Sequence, residues 1–245
     1  MITKNGINQS MFYKLDKRII KDNLINTLEK TGDSISSLAI AEMAIPSYLY
    51  GNALSRWFAW RKVEKIIEMC GELRNANIMD FGCGTGILFN YLQQGSQVLY
   101  GVDIELEFAK EMANQLNMKQ TKFFHPDKID NIIPDSSLDI VIAANVLEHV
   151  PSLSWCLELF WKKLKEGGFI IISGPTENKI YRTGRTILRL LGHKEFTGEY
   201  HETDINQIFN SANKLNFIEI KKIKIPNIIN PIALYWIGKF VKKGK

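Results

Sequence analysis

Hydrophobic residues along the chain change their spacing near residue 75. Before that point they recur every three or four positions, as they do on one side of a helix. This pattern predicts a helix that ends near Gly32, a second short helix over 34–45 that stops at Pro46, and a longer helix over 53–69. The expected apolar side of the longer helix comprises Leu54, Trp57, Phe58, Val63, Ile66 and Ile67. Residues 1–70 are therefore predicted to form a helical extension or cap.

Beyond residue 75, short apolar runs alternate with amphipathic segments. The runs predict strands over about 77–81, 98–102, 121–124, 138–144, 169–173 and 217–225. The segments between them predict helices over about 86–94, 106–116, 153–164 (ended by Gly167-Gly168) and 205–215 (capped by Thr203). Such alternation indicates a mostly parallel sheet with helices on both faces. The last apolar run, 232–241, fits either an antiparallel seventh strand or a short amphipathic helix.

The first strand leads into a turn with glycine at every second position, Asp80-Phe81-Gly82-Cys83-Gly84-Thr85-Gly86. Glycine lets backbone N–H groups approach a ligand closely. The spacing G-x-G-x-G differs from the dinucleotide fingerprint G-x-G-x-x-G, and the sequence contains no G-x-x-x-x-G-K-[ST] phosphate loop. Asp80 would also repel a pyrophosphate. A nicotinamide-dependent oxidoreductase is therefore disfavoured.

The glycine turn resembles the first motif of class I S-adenosylmethionine (SAM)-dependent methyltransferases. The segment after the fourth strand, 143–150, resembles the small-molecule methyltransferases of ubiquinone and menaquinone biosynthesis. The resemblance covers about residues 75–175. It implies a Rossmann-like, doubly wound, mostly parallel seven-stranded sheet over 71–245, with 232–241 as a strand and 175–200 as an inserted lid over the acceptor site. It also implies SAM as the cofactor and S-adenosylhomocysteine (SAH) as the product.

Ligands of doubly wound sheets bind beyond the carboxyl ends of the strands. The resemblance places twelve cofactor-binding residues there: Asp80, Gly82, Cys83, Gly84, Thr85, Gly86, Asp103, Ile104, Asp127, Lys128, Asn145 and Val146. Asp103, about 20 residues past the glycine turn, is expected to accept hydrogen bonds from the ribose hydroxyls, and capping the next helix is its alternative role. Asp127 would accept from the adenine amino group, or would be a solvated loop residue, and the Lys128 N–H would meet the ring. Asn145 and Val146 would lie against the methionine part.

Two histidines are candidate general bases for O-methylation, because imidazole titrates near neutral pH. His149 is expected near the transferred methyl, and His201 follows the inserted segment. Each also has a structural alternative, His149 as a bridge between loop and helix and His201 as part of the Thr203 cap. C-methylation of a quinone precursor and methylation of a glycan-lipid intermediate suit the same sequence. No metal site is predicted.

Composition and charge bear on location and partners. The chain has 245 residues, 45% hydrophobic and 23% charged, with cysteines at 70, 83 and 156 in no paired spacing, so a cytoplasmic protein is expected. The net charge of +5 concentrates after Glu219, and the predicted helix 179–191 has one basic and one apolar face. These features either solubilise the chain or allow peripheral contact with an anionic membrane or acceptor. An RNA or protein methyltransferase and a non-catalytic SAM-binding protein remain alternatives, although nucleic acid is the less expected partner.

Overall fold

The computed structural model describes residues 15–32, 34, 35, 40, 43, 45–176, 178, 183, 203–227 and 233–244. The proposed helix 179–191 (apart from Thr183), most of the lid 175–200, and His201 lie outside the described residues.

A single seven-stranded sheet forms the centre of the described chain, in the order β3-β2-β1-β4-β5-β7-β6. The strands are β1 Ala76–Phe81, β2 Ser96–Val102, β3 Thr121–Phe124, β4 Leu138–Ala144, β5 Leu164–Pro175, β6 Phe217–Ile225 and β7 Tyr235–Lys242. Five strands pair in parallel, and β7 lies antiparallel between β5 and β6. The Rossmann-like arrangement and the strand at the end of the chain are thus confirmed. The order reverses between β1 and β4, which is where such sheets bind ligands.

Helices cover both faces of the sheet. They are α1 Lys17–Thr31, α2 Ile45–Leu49, α3 Ala53–Cys70, α4 Phe89–Leu92, α5 Glu107–Gln115, α6 Ile129–Ile132, α7 Leu153–Lys163 and α8 Ile205–Lys214. Alternate residues of β1 face opposite cores: Ile78 packs with α1, α3 and α5, whereas Met79 packs with α7 and α8. The N-terminal helices therefore supply one of the two layers that bury the sheet.

Two expectations for the N-terminal helices are wrong. Pro46 is the second residue of α2 and does not end a helix, because the first turn of a helix tolerates a missing N–H. On α3, Val63 and Ile66 of the predicted side are buried, together with Trp60, but Leu54 and Trp57 of that side are 66% and 49% exposed. The spacing of hydrophobic residues on α3 does not show where the sheet that the helix packs against ends.

The direction of α3 explains this exposure. Lys239 lies beside Ile171 in the sheet, and its Nζ donates to the Met69 carbonyl near the end of α3. Lys62, almost two turns earlier, lies over Tyr235, which pairs with Pro175 at the end of β5. The helix therefore runs opposite to β5, and its first turns extend past the carboxyl edge of the sheet.

Three other boundaries also differ from the sequence prediction. Helix α4 has only one turn, because the chain turns at Gly95 and β2 begins at Ser96. Helix α7 ends at Lys163, before the glycine pair, since Leu164 adopts extended backbone and pairs with Leu138. Asp204 caps α8 in place of Thr203: its carboxylate accepts from the Gln207 N–H at 2.9 Å, and the Gln207 side chain accepts in return.

The lysines near the C-terminus are largely engaged within the fold. Lys242 is only 9% exposed and donates to the Leu164 carbonyl at 2.7 Å. Lys239 lies 3.6 Å from the centre of the Phe169 ring, and Lys221 forms an ion pair with Glu68 at 2.9 Å. Within the parts of the chain that the structure describes, none of the helices has both the length and the apolar character required to cross a membrane.

Candidate functional site

The glycine turn joins β1 to α4 at the reversal of strand order. Its N–H groups at Gly82 and Cys83 donate to the Val102 carbonyl at the end of β2, at 2.8 and 3.2 Å. Gly82 has φ of 73°, and a Cβ there would lie 2.4 Å from the Val146 side chain. Gly86 has φ of 69°, and its Cβ would lie 2.5 Å from the Phe89 ring. Both positions therefore require glycine for backbone conformation and for space.

The middle glycine has a different environment. Among the described residues, a Cβ on Gly84 would meet only Met43 Cγ, at 3.9 Å, so these residues leave room for a ligand on this side of the turn. The Gly84 N–H donates to Asp103 Oδ2 at 2.7 Å, and Asp103 Oδ1 accepts from the Glu105 N–H at 3.2 Å. The Asp103 carboxylate is thus held beside the glycine turn, and its oxygens have further lone pairs available for a ligand.

The buried residues of this stretch include three with polar side chains: Asp80, Cys83 and Thr85. Burial, and then the charge of Asp103, raise the pKa of Asp80 from 3.8 to about 7. Burial and the same two carboxylates raise the pKa of Cys83 well above its usual value, so its thiol stays protonated. A buried acid of this kind favours a cationic ligand, because a positive charge would return the carboxylate to its ionised form.

A more exposed group of residues follows β2 and β3. Ile104 is 78% exposed next to Asp103, which leaves its side chain available to a flat ligand. Asp127 lies in a short 3-10 helix, where its hydrogen bond with His125 Nδ1, at 2.9 Å, holds the pKa of its carboxyl below the usual value. The Lys128 N–H donates to the His125 carbonyl at 3.0 Å. If the Lys128 N–H donated to adenine, it would have to share or break its hydrogen bond to the His125 carbonyl.

The end of β4 carries Asn145 in a left-handed conformation, with φ of 56°. Its N–H donates to the Ser173 carbonyl at 3.0 Å, and its side-chain oxygen accepts a short hydrogen bond from the Tyr235 hydroxyl. The same hydroxyl lies 3.0 Å from Ser173 Oγ. Val146 packs against Gly82, so the segment after β4 directly contacts the glycine turn. The first residue of β7 therefore fixes a residue that sequence analysis assigned to the cofactor.

Removing the Tyr235 hydroxyl should destabilise this arrangement. We expect Tyr235→Phe to lower the free energy of unfolding by about 1–3 kcal/mol, because buried polar atoms of Asn145 and Ser173 lose a partner. Urea denaturation would measure the change. Tyr50→Phe, at a tyrosine that is 67% exposed, is the control. Equal stability of the two variants would contradict a structural role for the hydroxyl.

Sequence analysis missed Tyr235 and Lys62, whose Nζ lies 4.7 Å from the centre of the Tyr235 ring. Neither belongs to a motif, and only the fold brings them to the end of β4. His149, a predicted base, has an exposed side chain in the turn after β4, and its N–H donates to the Val146 carbonyl at 3.0 Å. His149 therefore lies at the correct edge of the sheet, and its catalytic role remains a prediction.

The sheet order and the glycine turn beside Asp103 define a class of protein. Residues 79–172 match a family model described as "Methyltransferase domain". Over these residues the chain is therefore similar to a methyltransferase domain, a class of domain that uses SAM as its methyl donor.

The individual relatives differ in what they are named for. The chain is 32% identical over 118 residues to a ribosomal protein L11 methyltransferase of Neisseria meningitidis serogroup A, covering 46% of this chain and 37% of the relative. It is 30% identical over 132 residues to a ubiquinone biosynthesis O-methyltransferase of Bradyrhizobium diazoefficiens, covering 49% and 48%. The chain thus spans about half or less of these relatives. The crystal structure of the PH0226 protein from Pyrococcus horikoshii has the same fold, with a TM-score of 0.60, 18% identity and coverage of 81% and 96%.

Proposed function

We propose that this chain transfers the methyl group of SAM to a small-molecule or lipid-like acceptor, by O-methylation. One observation carries the proposal: the glycine turn, the Asp103 carboxylate and the Asn145-Val146 segment meet at a single edge of the sheet, where its strand order reverses. The relative named for ubiquinone biosynthesis supports an oxygen acceptor. The relative named for ribosomal protein L11 keeps a protein acceptor as the second candidate.

The described residues suit SAM at each part of the molecule. The open side of Gly84, Asn145 and Val146 suit the methionine part of SAM, and the buried Asp80 suits its ammonium group. The Asp103 carboxylate suits the ribose hydroxyls. Ile104, Asp127 and Lys128 suit the adenine. When bound, SAM supplies a methyl group that is already activated by its positively charged sulfur.

The protein's own contribution to methyl transfer is mainly positional. It must align the acceptor oxygen with the methyl carbon and exclude water, since the donor needs no further activation. A hydroxyl acceptor loses its proton as the new oxygen–carbon bond forms, and a side chain at this edge must take that proton. We assign this step to His149, which follows β4. His201 remains the second candidate and lies outside the described residues.

Removing the His149 imidazole should separate catalysis from cofactor binding. We expect His149→Ala to slow methyl transfer about 100-fold and to leave SAM affinity nearly unchanged, because general-base catalysis contributes on the order of 100-fold or more. Turnover would be followed as SAH formation, and affinity by calorimetry. The matched control is His125→Ala, because His125 is exposed near the predicted adenine end. Wild-type turnover in His149→Ala would exclude His149 as the base.

Calorimetric titration with SAM, SAH and NADH tests the cofactor assignment. We expect micromolar binding of SAM and SAH and no binding of NADH. Transfer of labelled methyl groups from SAM to fractionated small molecules, lipids, RNA and proteins would then identify the acceptor class. Binding of SAM with no transfer to any fraction would favour the non-catalytic alternative, and failure of SAM and SAH to bind would contradict the proposal.

We also propose a cytoplasmic location with peripheral contact to anionic membranes through 179–191 and the basic C-terminus. Lys239 and Lys242 are engaged within the fold, so this contact would depend on the arginines of 179–191. Sedimentation with anionic liposomes at low salt should decrease when those arginines are replaced. No sedimentation of the wild-type chain would contradict membrane contact.

A further inference from the structure

Lys62 places an amino group beside the end of β4. Its Nζ lies 4.7 Å from the centre of the Tyr235 ring, and the Tyr235 hydroxyl donates to the Asn145 side chain. Asn145 is the residue assigned above to the methionine end of SAM. The amino group therefore lies one side chain away from the place where the methyl group would be transferred.

The described surroundings of Lys62 combine low hydration with the opposite charge of Glu148. Burial lowers the pKa of Lys62 to about 8, while the nearby carboxylate of Glu148 favours the charged form. The Glu148 carboxylate lies over the end of β5, with Oε2 3.5 Å from where a Cβ of Gly174 would be. A partly desolvated ammonium binds an anionic oxygen more strongly than a solvated one does.

An apolar strip leads from Lys62 toward solvent. Phe58 lies one turn before Lys62 on the same side of α3, and its ring meets the Trp57 ring with centroids 5.0 Å apart. Trp57 and Leu54 are 49% and 66% exposed. This part of α3 extends past the carboxyl edge of the sheet, so the strip lies at the edge where an acceptor would enter. An exposed strip of this kind suits an apolar ligand.

We propose that Lys62 and the apolar strip Leu54-Trp57-Phe58 form the acceptor subsite, and that the acceptor is an organic hydroxy acid with an apolar body. Lys62 holds the acid oxygen, the strip contacts the apolar body, and the acceptor hydroxyl faces the methyl group and His149. Among the described residues, one ammonium beside one carboxylate suits a monoanion better than a polyanion such as RNA. This inference rests on the methyltransferase function proposed above.

The test uses the full chain saturated with SAH and two matched probes, para-hydroxyphenylpropionate and its neutral amide. We expect the acid to bind about tenfold more tightly than the amide, since a charge-assisted hydrogen bond contributes about that factor or more. Lys62→Met should abolish this preference, whereas Lys62→Arg should largely retain it. The control is Lys65→Met, three residues along the helix, where the lysine forms an ion pair with Glu68. Trp57→Ser should weaken acid and amide alike.

Dodecanoate, titrated in parallel, distinguishes a lipid-like acid from a soluble one. If either acid binds more tightly and its binding depends on Lys62, the result supports the subsite and shows whether the acceptor is lipid-like or soluble. SAH affinity, measured in the same samples, separates this inference from the proposed function. Failure of SAH to bind would overturn the function itself. With SAH bound, equal affinity of acid and amide, a preference that survives in Lys62→Met, or no binding of either acid at millimolar concentration would overturn the acceptor subsite.

Discussion

Replacing Asp103 by alanine is expected to weaken SAM and SAH binding at least about 100-fold. Under the role proposed for Asp103, two ribose hydroxyls would lose their hydrogen bonds to its carboxylate, and bonds to a charged group contribute about 1.5–3 kcal/mol each. The replacement would also release the Gly84 N–H, which the carboxylate holds at 2.7 Å, and thereby loosen the glycine turn. Isothermal calorimetry of purified variants would measure both affinities.

Two further variants distinguish the reasons for this loss. Asp103→Asn keeps an oxygen that can accept from the Gly84 N–H but removes the charge, so we expect an intermediate loss of about tenfold. Glu105→Ala, at an exposed neighbour, should bind SAM as the wild type does. Wild-type affinity in Asp103→Ala would show that the carboxylate caps the following segment and does not bind ribose.

The stability of the protein should depend on pH through Asp80. Its pKa is raised to about 7 in the folded chain, against 3.8 for an unperturbed carboxyl, so the folded state binds the proton more tightly. Its contribution to stability is therefore complete below about pH 3.8 and is lost as the pH rises to about 7. A difference of this size corresponds to roughly 4 kcal/mol.

We expect Asp80→Asn to remove this dependence, so that the stability of the variant relative to the wild type rises by roughly 4 kcal/mol between pH 4 and pH 8. Urea denaturation at several pH values would measure it. Asp127→Asn is the control, and its effect on the pH dependence of stability should have the opposite sign. The pKa of Asp127 is lowered, so its contribution to stability is lost as the pH falls. Parallel pH profiles for wild type and Asp80→Asn would contradict the raised pKa.

The same carboxyl should link cofactor binding to protons. Under the role proposed for Asp80, the cationic end of SAM favours the ionised carboxylate, so binding near pH 6 should release close to one proton and affinity should rise toward pH 8. Calorimetry in buffers with different ionisation enthalpies would count the protons. Asp80→Asn should abolish the release, and proton release that persists in this variant would assign the effect to another group.

Local patterns in the sequence were enough to predict much of the fold and the position of the glycine turn. The alternation of apolar strands and amphipathic helices after residue 75 depends on local hydrophobic spacing, and it predicted the parallel sheet that the structure contains. The spacing of Gly82, Gly84 and Gly86 in the glycine turn also has a local cause, because each of these residues has a positive φ. Such features can be predicted from short stretches of sequence, because interactions between neighbouring residues produce them.

Contacts between side chains that are far apart in the chain could not be predicted from the sequence. The spacing of hydrophobic residues on α3 predicted that Leu54 and Trp57 are buried, yet both are exposed because the helix extends beyond the sheet. Lysines of the C-terminal segment read as a solvated basic end, yet Lys242 is buried because the antiparallel β7 brings it to the Leu164 carbonyl. The meeting of Lys62, Asn145 and Tyr235 likewise depends on β7 entering the sheet next to β5. No local pattern encodes such contacts, because they arise from packing between elements that are far apart in the chain.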